Sequence, residues 1–596
     1  MTAPTISERL DAIREHMDHH RIDAYIVPSA DEYLGEYIPE RNRRLQWVSN
    51  FTGSAGMVIV LKDQAAIFVD GRYRVQVRDQ VSTDLFSILH LIDDPQPEWL
   101  ISQLPAGSQI GIDPRMHTYK WFSNTQKTLA DANMELISLS DNLIDACWHD
   151  RPAANIKPVR LMPTAVAGRN STDKRDTIGA AIDNKHADAA LIFASDSSNW
   201  LLNIRGQDIP SLPLVLGVGL LFADGSMVYH MDLDKSIDGL EAHVGDRVTF
   251  KPESELGDSL AALAGKTVWA DSDTTSAFAI NTLIEAGARI INYPDPVLLP
   301  KAAKNGVEIS GMKEAHLQDA VAEIGFLSWL DSIVAAGERP DEAALADKLL
   351  TFRQQQPDFV EVSFDTISAA GSNAAMCHYN HRNGTPAHLP ENGVYLVDSG
   401  GQYLCGTTDI TCTIAIGTPS SELCERFTLV LKGHIALDRM TFPEGTSGSQ
   451  LDVLARAPLW LQGLDFDHGT GHGVGHFLSV HEGPQRIGKK TSEFALLPGM
   501  VLSNEPGYYK DGHYGIRCEN LVVVKPAPDL GHDGKAFLQF EALTFVPFDQ
   551  RLIVKDLLTA DEIQWLNDYH EQVIAKVGPR LEAEGLAWLS HAARPM

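Results

Sequence analysis

The chain has 596 residues, 44% of them hydrophobic and 21% charged, which is enough apolar material to fill several cores. Its formal net charge is −30, from 79 acidic against 49 basic residues; this argues against nucleic-acid and anionic-membrane partners, whose phosphate-rich surfaces require clustered Lys and Arg. The first 25 residues lack the apolar core of a secretion signal. The most apolar run, Leu212 to Phe222, is shorter than the ~20 residues of a bilayer span. Six scattered cysteines (Cys147, Cys377, Cys405, Cys412, Cys424 and Cys518) form no CxxC pair and read as reduced thiols. The expectation is a cytoplasmic protein of more than two domains.

Two early segments resemble each other. Asp23-Ala24-Tyr25-Ile26-Val27-Pro28 and Asp188-Ala189-Ala190-Leu191-Ile192-Phe193 each follow a helical stretch and open with an apolar strand. Each is followed by a strand pair: Met57–Leu61 with Ala65–Val69, and Val215–Phe222 with Met227–His230 across the Asp224-Gly225 turn. The pattern predicts two related α/β domains. Linkers are expected at Arg151 to Pro158 and Pro294 to Gly306. Beyond the second linker, Leu317, Val321, Ile324, Leu327 and Leu330 recur at helical spacing within Met312–Ala336. Asp341 is a good N-cap for a helix running to about Gln355.

The rest reads as helix and strand pairs in two copies. Val394–Asp398 pairs with Thr408–Ala415 across Ser399-Gly400-Gly401. Helices are expected at Ser421–Met440 and Gln450–Gln462. Val501–Glu505 then pairs with Ile516–Val524. Each strand pair carries two carboxylates, Asp398 and Asp409 in the first, Glu505 and Glu519 in the second. A closing helix starts at Thr559, which forms a capping box with Glu562 and presents Ile563 and Leu566.

Ionised carboxylates at the edge of a core are costly unless paired or metal-bound, and Arg517 is the one obvious basic neighbour. Three histidines within nine residues, in His468-Gly469-Thr470-Gly471-His472-Gly473-Val474-Gly475-His476, add imidazole donors, with His481 close behind. Asp398, Asp409, His472, Glu505 and Glu519 form an oxygen-rich set that suits Mn²⁺, and Zn²⁺ or Co²⁺ less distinctively. Four carboxylates are too much charge for one divalent ion and reasonable for two, which would activate a bridging hydroxide.

The order of these five residues resembles that of the pita-bread metallopeptidases. Val397-Asp398-Ser399-Gly400-Gly401-Gln402-Tyr403, Gly406-Thr407-Thr408-Asp409-Ile410-Thr411, Val480-His481-Glu482-Gly483-Pro484, Asn504-Glu505-Pro506-Gly507-Tyr508-Tyr509 and Trp565-Leu566-Asn567-Asp568-Tyr569-His570 are similar to the long, three-domain cytosolic aminopeptidase P branch. The resemblance implies two creatinase-like α/β domains at 1–152 and 158–298, then a pita-bread α+β catalytic domain with a helical extension at 304–596. It implies release of the N-terminal residue from peptides with proline at position two, by a metal-bridging hydroxide. Asp398 would bind one metal, Asp409 and Glu519 would bridge both, and His472 and Glu505 would bind the second. Glu505 would be the general base. His378 would position substrate and shuttle protons, and His481 would hydrogen-bond the scissile carbonyl. His468 would line the proline pocket, Arg517 would support the site, and Arg72 would help bind longer peptides. A homodimer is also implied. The rival readings are a prolidase limited to Xaa-Pro dipeptides, a creatinase-like enzyme without metal, and a non-catalytic peptidase-like binding module. His476 is expected to be structural, and Cys518 to point away from Glu519 by strand alternation.

Overall fold

The computed structural model describes residues 4–528, 530–531 and 534–596. The chain divides into two compact units. The first comprises residues 1–163, 169–210 and 214–298; the second comprises 164–168, 211–213 and 299–596.

The first unit contains the predicted α/β repeat. One six-stranded sheet runs Ser87–His90, Ala65–Val69, Gly56–Leu61, Ala24–Pro28, Gln109–Ile112, Glu135–Ser138. The other runs Val248–Lys251, Met227–Met231, Gly217–Phe222, Ala189–Ile192, Thr267–Ala270, Arg289–Asn292. In both, the three strands nearest the centre of the order pair antiparallel and the outer ones parallel. Identical order and identical strand sense make the two sheets copies of one design. Their central strands are buried on both faces, as Tyr25, Ile26, Val27 and Ala190, Leu191, Ile192 show, which accounts for their unbroken apolar runs. The second apolar run enters its strand at Gly217, two residues later than expected. Residues 151–159 are extended coil, as predicted, whereas the second linker carries a short helix at Leu298–Ala302.

In the second unit the long helix spans Gly306–Ala335, starting six residues before the expected Met312. Asn305 accepts from the Glu308 amide while Glu308 reaches back to the Asn305 amide, a capping box contributing about 1 kcal/mol. Ile324, Leu327 and Leu330 are buried along this helix, each contributing on the order of 2 kcal/mol. Asp341 caps Glu342–Arg353, helices follow at Ser421–Asp438 and Gly448–Trp460, and Thr559 caps Ala560–Val577 with the expected box to Glu562.

Both predicted strand pairs exist, with one correction that applies to each. Gly393–Ser399 pairs antiparallel with Ile410–Ile416, Asp398 facing Thr411. The connection is not a tight turn: it carries strands Gly401–Tyr403 and Gly406–Thr407. Val501–Asn504 pairs antiparallel with Asn520–Pro526, and its connection carries the hairpin Gly507–Lys510 with Tyr514–Arg517. Asp409 and Glu519 therefore sit just before their return strands, not within them. A bridge between Thr411 and Glu519 joins the two halves. Among the described residues no helix is long and apolar enough to cross a membrane.

Candidate metal centre

Four strand ends bring the carboxylates together. Asp398 closes the strand Gly393–Ser399, Asp409 precedes Ile410–Ile416, Glu505 follows Val501–Asn504, and Glu519 precedes Asn520–Pro526. His472 enters on the strand Gly471–Gly473. That strand exists because its flanking residues are glycines. A Cβ at Gly471 would lie 2.0 Å from the Ser503 carbonyl oxygen, and one at Gly473 would lie 2.3 Å from Gln485 Nε2, so any side chain would push the neighbouring strands away.

One donor atom each from Asp409, His472 and Glu519 falls within 4.8 Å of the others. His472 Nε2 is 3.4 Å from Asp409 Oδ2 and 3.5 Å from Glu505 Oε1. Its Nδ1 lies 2.9 Å from the Gly473 carbonyl oxygen. A carbonyl can only accept, so Nδ1 carries a proton, and Nε2, on the carboxylate side, either donates a second proton to Asp409 or, deprotonated, is the nitrogen free to ligate a metal ion. Ser503 Oγ donates to Glu505 Oε1 at 2.9 Å and accepts from the His472 amide at 2.9 Å, which fixes both side chains.

Arg517 organises the other side. Its Nη2 donates to Asp398 Oδ2. Its Nε donates to Thr411 Oγ1 at 2.9 Å, and that hydroxyl donates onward to Glu519 Oε2 at 2.6 Å. Its Nη1 donates to the Tyr509 hydroxyl at 2.6 Å, which in turn donates to His468 Nε2 at 2.8 Å. His468 Nδ1–H then ends the chain on the Gly469 carbonyl oxygen at 2.7 Å. The direction of each bond fixes His468 as a neutral tautomer. Burial agrees, lowering its pKa to about 4.

Electrostatics argue for cations in this cluster. Burial raises Asp398 to about 6 against the pull of Arg517. Burial and then the charges of Asp409, Glu505 and Asp398 push Glu519 well above the carboxylate range. Burial would lower His472, but its hydrogen bond to Asp409 and the charge of Glu505 overcome that and hold it near 9. Without metal, like charges this close force protons onto the group. Asp398 Oδ1 is buried with no hydrogen-bond partner among the described residues, an acceptor that a metal ion would satisfy. The oxygen-rich donors, the lone pair of His472 and this orphaned oxygen fit divalent ions.

The remaining predicted residues are placed as follows. His481 packs edge-on against His472, with ring centroids 4.4 Å apart. Its successor Glu482 is buried between Lys301 Nζ at 3.1 Å and Lys304 Nζ at 2.7 Å, which anchors the segment. His378 is half-buried in the turn after Gly371–Ala375; the preceding Cys377 carbonyl accepts from Arg517 Nη1 at 3.4 Å. The loop bearing His378 hangs on Glu342, which accepts from Ala370 N, Asn373 Nδ2, the Tyr379 hydroxyl and Ala387 N at 2.7–2.9 Å. Arg72 lies in the first unit, held by Asp70 at 2.8 Å. His476 and Cys518 are buried. Thr411, Ser503, Tyr509, Glu342 and the Lys301–Glu482–Lys304 trio escaped sequence reasoning. Thr411, Glu482 and Tyr509 lay inside quoted motifs without being singled out; hydroxyls and lysines otherwise carry no local signal of such pairing.

Fold and site together define a metallopeptidase with creatinase-type N-terminal domains. Residues 310–526 match metallopeptidase family M24 and residues 536–596 the C-terminal region of peptidase M24. Residues 9–147 and 150–308 each match a creatinase/prolidase N-terminal domain. The chain belongs to metallopeptidase family M24. It is 37% identical to a probable Xaa-Pro aminopeptidase P of Tuber melanosporum and 36% identical to aminopeptidase P1 of Arabidopsis thaliana, each match covering 99% of both chains. The crystal structure of an X-prolyl aminopeptidase from Caenorhabditis elegans, described as a cytosolic enzyme with a di-nuclear active site, superposes with a TM-score of 0.95 at 35% identity over 99% of this chain and 100% of that one.

Proposed function

We propose that the chain is a metal-dependent Xaa-Pro aminopeptidase that releases the first residue of peptides with proline at position two. The observation that carries this reading is the meeting of Asp409, His472 and Glu519 beside Asp398 and Glu505, in a chain alike from end to end to relatives bearing that name. Asp398, Asp409, His472, Glu505 and Glu519 would together hold the two ions. Two divalent ions held there, Mn²⁺ in the first instance, would supply Lewis acidity and water activation at neutral pH.

The chain's own residues do the rest. Glu505, oriented by Ser503, takes the proton of the attacking water. His481 donates to the scissile carbonyl oxygen as charge develops on it. His378 positions substrate and passes protons toward the proline nitrogen, which has no N–H of its own. His468, with Phe466 at 4.9 Å and Tyr509 at 5.3 Å between ring centroids, forms an aromatic pocket suited to the pyrrolidine ring. Arg517 keeps Asp398 ionised. The substrate ammonium is drawn to the carboxylate cluster, which makes the enzyme an exopeptidase. Arg72 assists longer peptides. The proposal extends to a cytoplasmic homodimer and to domain limits at 1–152, 158–298 and 304–596.

The test uses metal-stripped protein resupplied with Mn²⁺. Release of arginine from Arg-Pro-Pro and not from Arg-Ala-Ala, lost in Asp409→Asn, is expected. Cleavage of both peptides would remove the proline requirement. Cleavage of Arg-Pro alone would make it a dipeptidase, and no cleavage with any metal would leave a non-catalytic binding module.

A further inference from the structure

The first unit has an open cavity of about 560 Å³ lined from both of its sheet domains, within the range of small-molecule sites. None of its lining residues belongs to the cluster described above. Its floor is apolar, formed by Phe193, Leu216, Val218 and Phe278.

The two walls differ in charge. The first sheet domain contributes Arg41, Arg115, Arg151 and Glu32. Arg115 pairs with Asp113 at 2.7 Å, Arg151 with Asp145 at 2.7 Å, and Glu32 is taken by Arg44 at 2.5 Å. The Arg41 guanidinium makes no ion pair with any described residue, so this wall offers an unengaged cation. The second sheet domain contributes Asp208, Asp232, Glu253 and Lys235. Lys235 is spent on Asp208 Oδ2 at 2.8 Å. Glu253 accepts from the Tyr33 hydroxyl, and Asp232 from the Asp234 amide at 3.1 Å. Neither has a cationic partner among the described residues. Asp208 is 4% exposed, and its Oδ1 has no hydrogen-bond partner among the described residues.

An anion-seeking wall facing a cation-seeking wall across an apolar floor selects a dipolar ligand with an apolar body. We propose that this cavity binds a short zwitterionic peptide with an apolar side chain, its carboxylate at Arg41 and its ammonium at Glu253. A free amino acid shares that chemistry, but the cavity volume suits the longer molecule.

The test titrates metal-loaded full-length protein with Ala-Phe, which has no proline, by calorimetry. Saturable binding is expected, with N-acetyl-Ala-Phe and Ala-Phe amide at least about tenfold weaker, as loss of a charged hydrogen bond implies. Arg41→Gln and Glu253→Gln, at half-buried and exposed positions, should weaken Ala-Phe similarly, while Asp409→Asn leaves it unchanged. Tighter binding of phenylalanine than of Ala-Phe overturns the peptide assignment. Loss in Asp409→Asn with retention in the other two variants puts the peptide in the metal centre and overturns the proposal. So does equal binding of the blocked forms, or no binding, which would leave a water-filled void.

Discussion

Thr411 relays Arg517 to Glu519 through a single hydroxyl. Thr411→Val keeps the shape and removes the relay, leaving Arg517 Nε buried without an acceptor. Metal affinity and kcat/KM should each fall by about 10–100-fold, the usual cost of losing a partner that orients a ligand. Metal titration with steady-state assay checks this, and unchanged affinity would confine Thr411 to packing. The five acidic and imidazole residues were legible because they sit in strings whose joint order is rare, and because Arg517 stood alone as a basic neighbour. Thr411 and Ser503 were not legible. Threonine and serine are common in strands, and nothing local says that a hydroxyl will meet a carboxylate 108 positions away, as Thr411 does.

At the scale of elements, Glu342 begins a helix and also suspends the loop that carries His378, through four accepted hydrogen bonds. Glu342→Gln turns part of that acceptor set into donors. A loss of about 2–4 kcal/mol of stability is expected, together with a lower kcat at unchanged metal content; denaturant melts and metal analysis of the variant test both. Helices were readable to within a few residues where caps such as Asp341 and Thr559 marked them. The return strands were not. Thr408-Asp409-Ile410 and Arg517-Cys518-Glu519 read as continuous strand, yet the chain makes a hairpin excursion before each. Alternation of side chains is blind to a detour that preserves the final pairing.

Across the whole molecule, two measurements address stability. Chelation should lower the unfolding midpoint of the second unit and leave the first unit's transition in place, because bound ligand stabilises only the state that binds it; a uniform shift of both transitions would argue against a localised site. Burial lowers His570 from 6.5 to about 4. The folded protein therefore binds fewer protons than the unfolded chain in that window, and stability falls as pH drops from 6.5 toward 4. His570→Phe should lose about 2 kcal/mol less than the parent between pH 7 and 5, read from denaturant midpoints at the two values. The duplicated N-terminal sheets were legible as a repeat because both copies keep the same apolar strand and following hairpin. The cavity within that unit was not, since its walls are charged residues scattered from Glu32 to Glu253. The bridge between Thr411 and Glu519 has one more consequence. The two strand pairs it joins are about a hundred residues apart in sequence, so the carboxylates meet only after a long loop has closed. A metal ion held by carboxylates of both halves would then be captured late in folding and act as a latch, certifying that each half has reached its partner.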